Sequence, residues 1–295
     1  MMVNIRAVHL DEDAFTKLED LIEKSLKLSH LVNRLASTDY LDLAPDHSEW
    51  DLQHGTSSFP DPLRNALKIQ KFYALAAGGF LYSAAHAASN SLVGKGNFHP
   101  YTPMVTGVIA RPCVEFCSAS YFILKQRDNW EKTSAAYRLM KKGLKDYHWD
   151  KPGLFRETAF YTQIEAWGIE KGIKAKPVFN SDSESDLLVD LPMKPHRFLS
   201  DFVHGNATVV SLAVIDEQEN LGTNLQNDYW CLAASYSAIL SLAEEYFDQI
   251  PTEKKSEFQK EVRILRRFKE TIRAILESNW GKPKAIPDRD LTKRF

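Results

Sequence analysis

Two charges stand alone in a long uncharged run. Residues 103–124 read PMVTGVIARPCVEFCSASYFIL, and only Arg111 and Glu115 carry charge. Their i, i+4 spacing puts both on one face of a helix. A helix that is apolar all round is buried, and a buried charge is costly unless paired and hydrogen-bonded. The run therefore predicts an ion pair inside a protein core. Removing Glu115 from a fully buried pair would cost about 3–5 kcal/mol.

A second polar set lies in HRFLSDFVHGN, where Arg197, Ser200 and His204 recur at i, i+3 and i+7 on one helical stripe. His86, in YSAAHAASN, adds an imidazole from a third apolar segment. Four chemistries compete for these residues. His86, Glu115 and His204 are metal-ligand types, but they are single residues with no HExxH or ExxH spacing, so no metal is assigned. Ser200 with His204 is a serine–histidine pair, but it lacks a GxSxG elbow and an oxyanion hole. Arg197 with His204, aided by Arg111, supplies what metal-free phosphodiester cleavage needs: a proton carrier and a cation for the developing charge. RNA would bring its own nucleophile in the 2′-hydroxyl. The fourth reading is structural, with Arg111–Glu115 fixing helix register and His204–Gly205 fitting a tight crossing.

These residues need a scaffold, and the chain can build one. Its 295 residues suffice for one large or two small cores, and 44% apolar with 26% charged residues is ordinary for a globular protein. The net charge of −2 exerts no global pull on nucleic acid or anionic membrane. Charge is nonetheless uneven, with 5 Lys/Arg against 11 Asp/Glu in residues 1–60 and 13 against 7 in residues 252–295. Three cysteines, Cys113, Cys117 and Cys231, make neither a disulfide framework nor a zinc ribbon. They read as small buried residues in a reducing cytosol. The acidic opening of the chain is unlike a signal peptide. The segments 72–93 and 103–124 approach membrane-spanning length, but their polar residues make a bilayer costly, so no membrane is expected and a cytoplasmic location is.

Nearly every long segment carries helix signals. Asp11 opens one helix to about residue 36, Asp61-Pro62 a second to about 93, and Thr102-Pro103 a third to about 124, with Pro112 inside it. Further helices are expected over about 129–147, 155–172, 195–215, 223–247 and 252–281. Residues 42–60 read as a loop, and 175–194 as a surface excursion that is either a lid or a disordered stretch. The prediction is an all-α helical bundle. Four charge-poor segments (72–93, 103–124, 205–215, 229–243) form its centre and the charged helices an outer layer. Residues 1–60 would pack on a 61–250 core, and 251–295 would add a basic helix and tail.

The blocks ARPCVE, YFILKQRDNWEKTSAAYRLMKKGL and RFLSDFVHGN resemble a group of uncharacterised bacterial all-helical proteins. That group has an Arg-x-x-x-Glu core helix (Arg111, Glu115) and a later Ser-x-x-x-His-Gly helix (Ser200, His204, Gly205). The resemblance spans roughly residues 62–245 and is distantly similar to the HEPN superfamily, which includes ribonuclease toxins and defence effectors. The HEPN signature is an Arg, a polar residue and a His a few positions on. Here Arg197 and His204 fill the ends, six residues separate them, and Phe198 replaces the polar residue. The resemblance implies a metal-independent RNA endonuclease or effector without cofactor, homodimeric, with RNA as partner. His204 would be the acid–base, Arg197 the phosphate partner and Ser200 a hydrogen-bond donor. Arg111, Glu115 and His86 would be the supporting polar network. The alternative is a non-catalytic interaction module, with an unidentified protein partner, or a binder of small anions through Arg111.

Overall fold

The computed structural model describes residues 12–37, 45–57, 59–90, 92, 102–146, 157–173, 199–200, 203 and 221–277. Among them every regular element is a helix: α1 (Glu12–Ser37), α2 (Pro45–His54), α3 (Pro62–Asn90), α4 (Thr102–Leu124), α5 (Asn129–Asp146), α6 (Glu157–Glu170), α7 (Leu221–Gln249) and α8 (Thr252–Glu277). The all-α bundle is as expected. The segments 175–194 and 205–215 lie outside the described residues.

The centre is built by α1, α3, α4 and α7. One continuous apolar cluster joins Leu21, Leu28 and Leu35 of α1 to Leu81 of α3, Val114 of α4 and Ile239 of α7. The placement of α1 corrects an expectation. Its dense charge predicts a place in the outer layer, yet Leu18, Leu21, Leu28, Leu31 and Leu35 are all at most 1% exposed. These leucines recur at three-, four- and seven-residue steps, which gives a strongly charged helix one mainly apolar face interrupted by the buried Ser25 and Ser29. The backbones of α1 and α3 come close at Gly78. Ser29 donates to the Gly78 carbonyl at 2.8 Å, and a Cβ at position 78 would lie 2.8 Å from Val32 Cγ1. The outer helix is α8, which turns Phe258, Val262, Leu265 and Ile272 inward.

Residues 42–60 are a second correction. Instead of a loop they contain α2, whose Trp50 stacks on His54 with ring centroids 4.2 Å apart. A small aromatic cluster follows, with Phe59, Tyr137 and Trp167 buried together. Asp51 of α2 also does what Asp61 was expected to do. Its carboxylate accepts from Leu63 N–H at 2.7 Å and from Arg64 N–H at 3.2 Å, capping the start of α3. The Asp61 carboxylate instead lies 3.6 Å from Arg64. Burial raises the Asp51 carboxyl above the usual aspartate range, against the lowering effect of the two backbone bonds.

One helix is long and apolar enough to cross a membrane among the described residues, Val105–Leu124, and 56% of it is buried inside the protein. It packs against α3 and α7 as a core helix.

Candidate polar site on the core helix

The lone charge pair is formed. Arg111 Nε donates to Glu115 Oε1 at 2.6 Å across one turn of α4. The helix runs through Pro112 without a break. Burial of the pair is unequal, however. The Arg111 side chain is 14% exposed and that of Glu115 43%. The expected dry pair is thus a half-wet one, with the cation inside and the anion at the rim. The reason is geometric, because a helix of any composition keeps some face towards water unless neighbours surround it. Here Val105 and Val108 on the same helix are also exposed, at 47% and 43%.

The far end of the guanidinium reaches another element. Arg111 Nη1 donates to the Ser200 hydroxyl, 89 positions along the chain. Ser200 is half-buried and helical, and its neighbour Leu199 is fully buried in the main cluster. Leu199 anchors the segment while Ser200 meets the core helix beside it. The two polar sets thus touch through one side chain from each. Arg197 and His204, the other members of the second stripe, lie outside the described residues.

This arrangement sets the energetics of the pair. Glu115→Ala leaves Arg111 with Ser200, and the lost partner was already partly hydrated. We expect a loss of about 1–2 kcal/mol, the scale of one charge-assisted hydrogen bond rather than of a dry ion pair. Urea unfolding measures it. A loss above about 3 kcal/mol would mean that the carboxylate is shielded from water in solution.

His86 corrects the expected network. It is exposed on α3, with its ring edge against Tyr82 at 4.3 Å between centroids, and Tyr82 in turn meets His30 of α1. Its segment is free of charge because it is rich in alanine and glycine, and such a run has little polarity contrast to mark its solvent face. Phe72, Gly79 and His86 recur at seven-residue steps, and all three are exposed.

A buried polar junction between α3, α4 and α7 escaped sequence reasoning. Gln70 of α3, 1% exposed, donates through Nε2 to Ser120 Oγ of α4 at 3.1 Å and to the Tyr246 hydroxyl of α7. Ser120 Oγ donates back to the Gln70 carbonyl at 2.9 Å. Gln249 Nε2 ties the end of α7 to the Leu124 carbonyl at 2.7 Å. A glutamine at a core position of α3 was the available signal, masked by the charged residues beside it. The junction ties α3, α4 and α7 to one another.

The cysteines are all buried. Burial pushes the Cys113 thiol up to about 12 and raises Cys117 and Cys231 as well. Cys113 and Cys117 lie near the carbonyls of Ala77 and Ala238, at 3.5 and 3.1 Å. No three His, Cys, Asp or Glu side chains converge as a metal set among the described residues. Compared with protein-family models, curated proteins and solved structures, the chain matches none.

Proposed function

We propose that the protein is a HEPN-like, metal-independent RNA endonuclease of the toxin or defence type, working as a homodimer. The observation that supports this is the Arg111–Ser200 hydrogen bond, which joins the core charge pair to Ser200, the residue that the sequence pattern sets on one stripe with Arg197 and His204. In this reading His204 takes the proton of a ribose 2′-hydroxyl, and the resulting oxygen attacks the adjacent phosphorus. The bond from phosphorus to the 5′-oxygen breaks, and that oxygen receives a proton from the imidazolium. The products are a 2′,3′-cyclic phosphate and a 5′-hydroxyl, so no water or metal enters the step. Arg197 balances the charge on the phosphoryl oxygens. Arg111, held by Glu115, grips Ser200, and in this reading the pair positions His204, four residues further along the chain.

A specific observation favours a second reading. The Arg111 guanidinium already engages both Glu115 and Ser200, as it would in a non-catalytic module where it simply clamps two helices. Incubation with labelled single-stranded RNA in EDTA separates the two readings. The nuclease reading expects products ending in 2′,3′-cyclic phosphate, and at least about a hundredfold loss in a folded His204→Ala variant. No cleavage by the wild-type protein, or equal cleavage by the variant, would leave the module reading standing.

A further inference from the structure

Many charges of α8 are partitioned between its faces, with the exposed acids Glu253 and Glu270 at the two ends of the outward one. Its acids Glu257 and Glu261 turn to α1, where Arg34 lies 3.8 Å from one and 2.9 Å from the other. Its Arg266 turns to α7 and meets Glu244 at 2.5 Å. Lys260, Arg263 and Arg267 are left on the outward face at i, i+3 and i+7, all exposed. Glu270, one turn beyond Arg267, is exposed too. Among the described residues no salt bridge neutralises the three cations. Ile264, 47% exposed, lies between them on the same face.

We propose that this ridge is a docking strip for the phosphate backbone of an RNA strand. The inference rests on the RNA-directed reading above and names the surface that would hold the substrate. Seven residues of helix rise about 10 Å, long enough to meet a few successive phosphates of one strand. Sequence-independent phosphate contact needs cations at such intervals and nothing more. A bilayer fits the strip less well. The apolar face of α8 is spent on the core, through Phe258, Val262, Leu265 and Ile272, which leaves Ile264 as its outward apolar contact. An interfacial helix needs an apolar face to insert.

The test compares the full chain with a Lys260→Gln/Arg263→Gln/Arg267→Gln variant, using fluorescence anisotropy of a labelled single-stranded RNA across a salt series. All three positions are exposed, and circular dichroism is the check that the variant keeps its fold. Three phosphate contacts contribute about 2 to the slope of log affinity against log salt. The variant should lose about that much slope and bind at least about tenfold more weakly near 0.1 M salt. An unchanged slope in the variant, with RNA still cleaved, removes the strip and keeps the nuclease. Binding through the strip without cleavage removes the nuclease and keeps the strip. No RNA binding by the wild-type protein removes the strip, as does variant-sensitive binding to phosphatidylserine vesicles in place of RNA.

Discussion

Trp167→Ala is expected to lower the unfolding free energy by about 3–5 kcal/mol. The side chain is 1% exposed. Its ring lies 5.6 Å from that of Phe59, 5.8 Å from Tyr137 and 6.4 Å from Trp130, all in tilted arrangements. Aromatic contacts of this kind add to the burial of area. The indole Nε1 also donates to the His54 carbonyl at 3.1 Å, which ties α6 to the end of α2. Truncation therefore removes a large apolar volume and orphans a backbone acceptor. Trp167→Phe should recover part of the loss by refilling the cavity without the donor. Chemical denaturation of the three proteins gives the comparison. A loss below about 1 kcal/mol for the alanine variant would show that this cluster is not coupled to the main transition.

The adjacent residue should be nearly as sensitive for the opposite reason. Gly168→Ala adds one methyl group, and in an exposed helix that change stabilises by up to about 1 kcal/mol. At this site the new Cβ would lie 2.1 Å from Tyr137 Cζ and 2.2 Å from its hydroxyl oxygen. Tyr137 is 1% exposed and cannot swing into solvent. We expect a net loss of about 2–3 kcal/mol from overpacking. Gly79 is the control, because a Cβ there meets nothing within 4 Å. Gly79→Ala should be neutral or stabilising. A matching gain at both positions in thermal unfolding would show that α5 and α6 are not in contact in solution.

Much of this fold was legible because helix entry has a local chemistry. Pro62, Thr102-Pro103 and Thr252 mark three starts that fall where the local signals put them. Other features depend on partners far along the chain. The cap of α3 comes from Asp51, which no pattern beside Pro62 reveals. Helix α2 escaped because PDHSEWDLQH has almost no apolar period, and it is held instead by aromatic contacts to distant residues. At the candidate site, the i, i+4 pairing of Arg111 with Glu115 followed from spacing alone. The link from Arg111 to Ser200 was not legible, since that partner comes from a segment 89 positions along the chain. Which partner would face water was not legible, since that depends on neighbours of α4 rather than on α4 itself.

The sealing of Cys113, Cys117 and Cys231 has a practical corollary. Each sulfur is at 0% exposure, and burial holds its proton on. Alkylating reagents must therefore wait for the helices around them to part. Since Cys113 and Cys117 belong to α4 and Cys231 to α7, the rate of thiol capture under native conditions is a built-in clock for how often the central layer breathes.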